Sequence, residues 1–264
     1  MNAIKRLLHA GIVLMVVSLG LITFFSPRYE MKGLRIACNN DAAGLLIEHL
    51  VGENSTALDV VDMSYQQLQD CCSSQTELAL SAGNFDLAVL CPDGANELIE
   101  SGQPYHILGP IVDNSLILIT KQDRIPHTVG YMNAREIQKK LVWSNFDKSI
   151  EMKPMLPAAL PYALERNEVD GVVMDIIGGL QIGGYYTPLS SGYPASVLVV
   201  HKEKLNTPEL KDFIRVYNKA AAEMNKADLL RTKLEKKLEI ENGSEEVEVW
   251  QNMRVKFLLL GSEN

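Results

Sequence analysis

Four cysteines, Cys38, Cys71, Cys72 and Cys91, have the widest chemical range of any side chains in this sequence. Cys38 and Cys91 each close an apolar run that reads as a buried strand, and the adjacent pair Cys71 and Cys72 precedes a helical stretch. All four can therefore approach one sheet edge. A thiol cluster at such an edge suits a soft metal, a metalloid or a redox-active ligand. Plain burial as small hydrophobes, or oxidation of a pair in an exported chain, accounts for the same residues. Four cysteines allow three full pairings, and a bond between neighbours 71 and 72 closes a strained ring. The five histidines show no H-x-x-x-H spacing, which argues against a histidine-built zinc centre. Gly178 to Gly184 lacks the Lys and Ser/Thr of a phosphate-gripping loop and does not read G-x-G-x-x-G, and no G-x-S-x-G elbow occurs. No catalytic residue, metal or cofactor is expected.

Ligands of open α/β sheets bind beyond the carboxyl ends of strands, where helix N-termini offer unpaired N–H groups to anions or carbonyls. Applied to the apolar runs here, that rule selects Cys38, Asn39, Asn40 and Asp41, then Cys91, Pro92 and Asp93. Further along it selects Met132 and Asn133, then Met155, Leu156 and Pro157, then Asp175; Cys71 and Cys72 join them as the thiol pair. Each is as readily a helix cap as a ligand contact, so convergence alone argues for a site. Tyr131, Tyr185, Tyr186 and Tyr193 are added as aromatic candidates, each with an apolar face and a polar tip.

The elements that must position these residues alternate strand and helix. Strands are expected at Leu34–Cys38, Leu58–Met63, Phe85–Cys91 and Ile107–Val112, with helices capped by Asp41, ending at Gly83, and capped by Asp93. After Asp113 and Asn114 the pattern restarts: strands at Ser115–Thr120 and Thr128–Tyr131, a helix over 133–142, and a strand near Ile150–Lys153. Pro154, Pro157 and Pro161 punctuate a helix start, and strand Gly171–Met174 leads into a helix from Asp175 to Leu180. Gly183 to Pro194 reads as a crossing loop, Val197–Val200 as a returning strand, and Pro208–Met224 and Ala227–Leu238 as amphipathic helices. Trp250, Val255, Phe257, Leu258 and Leu260 are expected to pack against the first α/β unit.

Leu7 to Phe25 contains no charged residue, follows Lys5 and Arg6, and is long enough to span a bilayer. Small residues of a cleavage site are missing after it, so an uncleaved, single-pass anchor is expected, with the remainder outside the cytoplasm. A net charge of −8 provides no basic field for a phosphate backbone, which excludes nucleic acid as a partner.

Three stretches together resemble the substrate-binding components of ABC importers of the nitrate, sulfonate and taurine kind. They are Glu77 to Ala88, then Met155-Leu156-Pro157 with Ala163 to Gly171, then Ser196 to Lys202. Asp86 and Asp170, each before a buried strand, are expected to accept turn N–H groups and so to be structural. A narrower likeness, Asp70 to Gln75 with Leu90 to Asp93, is to the (seleno)protein group called SaoB, in which selenocysteine takes a thiol position. The resemblance implies an α/β, two-lobed type II periplasmic-binding-protein-like fold with mostly parallel sheets behind an N-terminal transmembrane helix. It implies 1–32 as anchor, 33–113 and 192–264 as the first lobe, and 114–191 as the second. The implied function is capture of a small-molecule solute and delivery to permease and ATPase subunits. A cysteine-dependent, pyrimidine-precursor-synthase-like enzyme and an anchored thiol-redox or metal-binding protein are the alternatives.

Overall fold

The computed structural model describes residues 33–57, 62–68, 74–189 and 192–261. The apolar segment 7–25, Cys71 and Cys72 lie outside the described residues, as does most of the strand expected at Leu58–Met63. Among the described residues no helix is long and apolar enough to cross a membrane.

β1 (Leu34–Asn39) is apolar on both faces because both are covered: Leu34, Ile36, Ala37 and Cys38 are buried. At its end the Asp41 carboxylate accepts the Gly44 N–H at 2.8 Å and caps α1 (Ala42–Ala57). The turn is so tight that a Cβ on Gly44 would lie 1.8 Å from the Asn39 carbonyl oxygen, so only glycine fits. The chain continues through β2 (Met63–Leu68), α2 (Ser74–Ser81), β3 (Leu87–Leu90), α3 (Pro92–Glu100) and β4 (Tyr105–Asp113). It then builds β5 (Leu116–Thr120), β6 (Thr128–Met132), α4 (Glu136–Asn145), β7 (Glu151–Met155), a 3-10 turn at Pro157–Ala159 and α5 (Leu160–Glu165). Next come β8 (Gly171–Asp175), α6 (Ile176–Ile182) and β9 (Tyr185–Pro188). β10 (Pro194–His201) precedes α7 (Pro208–Met224), α8 (Ala227–Leu238), α9 (Ser244–Asn252) and β11 (Lys256–Phe257).

The strands form two sheets, a six-stranded one in the order β11-β4-β10-β3-β1-β2 and a five-stranded one in the order β7-β6-β8-β5-β9. Both are mixed, which corrects the expectation of mostly parallel sheets. β1 runs parallel to β2 and β3, and β6 to β7 and β8, whereas β10 is antiparallel to β3 and β4, β11 to β4, and β5 to β8 and β9. The reason is where the chain crosses between sheets. It leaves β4 at the carboxyl edge of the first sheet, so β5 starts at the edge where β6 and β8 finish. β10 re-enters in the same way. The stretch expected as a crossing loop contains β9, a four-residue edge strand between glycines and a proline that pairs with β5.

The same device anchors both sheets. Asp86 precedes β3 and accepts the backbone N–H of Arg35 in β1 at 2.9 Å; Asp170 precedes β8 and accepts those of His127 and Thr128, at the start of β6, at 3.0 Å each. Each aspartate therefore ties its strand to the neighbouring one rather than closing its own turn. Burial works to raise the Asp86 carboxyl, but the Arg35 hydrogen bonds and charge, with Lys204, outweigh it and hold the group below its ordinary range. Asp86→Ala is expected to cost about 2–4 kcal/mol in a denaturant titration, because it strands a half-buried guanidinium and a strand N–H. A loss under about 0.5 kcal/mol would show that Asp86 is dispensable.

α1 is wedged between the six-stranded sheet and the C-terminal helices, with Leu45, Leu46, Ile47 and Leu50 buried. On α7, Leu210, Phe213, Val216, Tyr217, Ala220 and Met224 form the buried stripe, and Thr207 caps the helix by accepting the Leu210 N–H. Asn225 and Asn218 then exchange paired hydrogen bonds with the backbones of Phe257 and Leu260, fastening the last segment. Trp250, Val255, Phe257 and Leu260 are buried there.

Candidate functional site

A cleft of about 210 Å³ lies where the carboxyl ends of β1, β3, β6 and β8 meet. From the six-stranded sheet it takes Asn39, Asn40 and Asp41 after β1, Cys91 after β3, and Ala195 and Ser196 at the start of β10. From the five-stranded sheet come Ser115 and Leu116 at the start of β5, Met132 at the end of β6, Arg135, Ile137 and Gln138 around the start of α4, Pro157, Met174 and Asp175 at the end of β8, and Gly178 in α6. Tyr193 lines it from the second crossing. The wall is mainly apolar on the five-stranded side and polar on the other.

The first turns of α1, α3 and α6 are occupied by the protein itself, whereas α4, whose start brings Arg135, Ile137 and Gln138 onto the wall, has no side-chain cap. Asp175 caps α6, its Oδ1 accepting the Ile177 N–H at 3.0 Å, and the same oxygen accepts the Ala42 N–H of α1 at 3.0 Å from the other sheet. Two helix N-termini thus share one carboxylate. Burial, and then the neighbouring Asp41 charge, raise the Asp175 carboxyl, against the lowering effect of Ser115 and of the Ile177 and Ala42 N–H groups. The Ser115 hydroxyl lies beside that carboxylate, close enough to ease its charge, yet forms no hydrogen bond of ordinary geometry. On α3 the first position is Pro92, which has no N–H, and the Gly94 N–H is taken by Cys91 Sγ at 3.0 Å. Cys91 is therefore the cap of α3, in place of the expected Asp93, which sits in the first turn. The Tyr193 phenol is pushed up by burial and by the charge of Asp93, with Arg135 pulling the other way, so it stays protonated as a donor.

Of the residues selected from the sequence, Asn39, Asn40, Asp41, Cys91, Met132, Pro157, Asp175 and Tyr193 come together in the cleft. Cys38 does not: it is 1% exposed inside the six-stranded sheet, and burial, then the charges of Asp41 and Glu48, push its thiol up to about 12. Tyr131 is buried in the core of the five-stranded sheet, Met155 packs against the main core, and Leu156 and Asn133 face outward, Leu156 at 72% exposure. Pro92 and Asp93 start α3 behind Cys91 without lining the cleft. Among the other tyrosines, Tyr185 is exposed and Tyr186 packs against the main core. Ser115, Arg135, Gln138, Met174 and Ser196 were missed. Their one sequence signal was proximity to strand ends, which Met174 and Ser196 share with ordinary core positions. Cys38 is a free cysteine, and among the described residues no three His, Cys, Asp or Glu side chains are grouped to hold a metal.

No protein-family profile and no curated protein sequence matches the chain. Solved structures do match in fold. A ligand-binding component of an ABC-type import system from Staphylococcus aureus, solved with zinc bound, is 14% identical at a TM-score of 0.68, covering 88% of this chain and 87% of that one. The periplasmic aliphatic sulphonate-binding protein of Escherichia coli is 14% identical at 0.62, covering 84% and 79%. A nutrient-binding protein from Burkholderia cenocepacia bound to methionine is 12% identical at 0.59, covering 73% and 95%. The chain shares the periplasmic-binding-protein-like α/β fold of these molecules.

Proposed function

We propose that this chain is the solute-binding component of an ABC-type importer, holding a small molecule between two lobes and presenting it to permease and ATPase subunits. The first lobe is 33–113 with 192–264, the second 114–191, in a type II arrangement. Segment 1–32 is a single-pass anchor that keeps the domain on the outer face of the membrane.

The observation that carries this reading is a cleft lined by strand ends of both sheets, where the chain passes between them only twice among the described residues, from β4 to β5 and from β9 to β10. Two such connections allow the lobes to hinge about them. The shared fold of several import-system binding proteins supports it. The likeness of Cys71, Cys72 and Cys91 to the SaoB group supports the same function, since Cys91 stands in the cleft.

The test is a thermal-shift screen of the full chain in detergent against amines, amino acids, sulfonates, oxyanions and thiol compounds. A true ligand at about 100 times its Kd adds roughly 2.7 kcal/mol of stability. Ile137→Trp, which fills the cleft from α4, is expected to abolish that gain while leaving the unliganded melting temperature within a few degrees. No shift with any solute, together with turnover of one, sinks the proposal in favour of an enzyme.

A further inference from the structure

We infer that the solute enters this cleft as a hydrogen-bond donor, an organic ammonium on an apolar body, and not as an anion. The inference rests on solute capture as proposed above and concerns the chemistry of the head group.

Helix N-termini normally make this kind of cleft receptive to anions, through unpaired N–H groups and the positive end of the helix dipole. Here three of the four helix ends at the cleft, those of α1, α3 and α6, are already filled. The Ala42 and Ile177 N–H groups both donate to Asp175, the Gly44 N–H donates to Asp41, and the Gly94 N–H donates to Cys91 Sγ. The negative partner that a bound anion would supply is supplied by the chain. An incoming sulfonate or carboxylate would also meet Asp41 and Asp175 on the cleft wall. The cation on that wall, Arg135, is 5% exposed and already engaged in contacts of its own.

Two buried oxygens at the site lack a hydrogen-bond partner. Ser115 is fully buried, lines the cleft, and its Oγ has no hydrogen-bond partner among the described residues. Asn39 Oδ1 is likewise buried without a partner, while its Nδ2 points at Asp41 Oδ2 at 3.4 Å. Flipping that amide would set oxygen against carboxylate, so Asp41 itself keeps the Asn39 oxygen as the free acceptor. An unmade bond at a buried acceptor costs free energy that a donor from the solute recovers. On the facing wall Leu116, Met132, Ile137 and Met174 present apolar surface to the rest of the solute.

The experiment is isothermal titration calorimetry of the full chain with n-butylammonium, 1-butanol, pentanoate and butanesulfonate, repeated on Asp41→Asn and Ser115→Ala. Asn caps a helix as well as Asp, so Asp41→Asn removes charge and keeps α1. Butylammonium is expected to bind at least about tenfold more tightly than butanol and the two anions. Asp41→Asn is expected to weaken it about tenfold or more, with butanol unchanged. Ser115→Ala, which leaves every helix cap in place, is expected to weaken it severalfold and keeps the test available if Asp41→Asn does not fold. Tighter binding of either anion, or equal binding of butanol, overturns the donor assignment and leaves solute capture standing. Silence from all four probes overturns the assignment too, and the broader screen above then decides whether any solute is captured.

Discussion

Asp175→Asn is expected to raise the melting temperature at pH 8 by about 5 °C and to leave it nearly unchanged at pH 4. The unfolded chain titrates this carboxyl near 3.8, whereas burial and Asp41 raise it to about 7 in the folded protein. Below about pH 4 both states carry the proton and the group is neutral in its effect on stability. Between the two values the folded state holds a proton that the unfolded state has released, so stability falls as pH rises. Above about 7 the folded state bears the full cost of a charge in that place. Each pH unit of separation corresponds to about 1.4 kcal/mol. Asp175 is only partly buried on the cleft wall, so solvent screening leaves about 2 kcal/mol of this, and a protein of this size melts roughly 2–4 °C higher per kcal/mol. An asparagine oxygen can still accept from Ala42 and Ile177, so the variant removes charge without removing the cap. Asp86 does not interfere, because its carboxyl is held low and its contribution to stability is lost only as pH falls toward the acid end. The histidines are present in both proteins and cancel in the difference. Melting curves from pH 4 to 8 are the measurement, and curves that stay parallel would remove the assigned cost.

A second large effect is expected at Asn114, where the chain first crosses between the sheets. Its φ is +61°, a left-handed conformation that asparagine tolerates better than alanine. Its side chain joins the crossings: Oδ1 accepts the Tyr193 N–H at 3.2 Å, Nδ2 donates to the Arg254 carbonyl at 2.9 Å, and its own N–H donates to the Tyr193 carbonyl at 2.9 Å. Asn114→Ala loses two hydrogen bonds worth about 1 kcal/mol each and adds about 1 kcal/mol of backbone strain, roughly 3 kcal/mol in all. Asn114→Gly keeps the backbone free and is expected to recover about 1 kcal/mol of that. Denaturant titration of the three proteins separates the two contributions. If alanine and glycine cost the same, the backbone conformation is not under strain. Because these bonds hold both crossings together, the same variants are expected, on the proposed solute-binding role, to loosen the link between the lobes and speed solute release.

Much of this could be read from residue order. The 3.6-residue stripe of Pro208–Met224 and of Ala227–Leu238 placed both helices at the bounds observed, since a single buried face suffices to set them. Gly83 and Gly102, with φ of +67° and +81°, stand just past α2 and α3, where only a left-handed residue ends the helix cleanly. Asn39 to Asp41, Cys91 and Asp175 were legible as site candidates because strand ends of an α/β sheet converge. β9 was not legible, being four residues of an edge strand whose pairing with β5 is non-local.

Local order along the chain determined the alternation of strands and helices, their caps and the edge at which a site must form. Tertiary structure alone decided the antiparallel entry of β5 and β10, which follows from the edge at which the chain crosses. It alone turned Cys38, Tyr131 and Leu156 away from the cleft and brought Leu116, Met174 and Ser115 into it. It alone set the Asp175 carboxylate on the Ala42 N–H across 133 residues of sequence. No short-range pattern encodes a hydrogen bond between groups that far apart, yet that bond turns a helix end suited to an anion into one the protein has already neutralised.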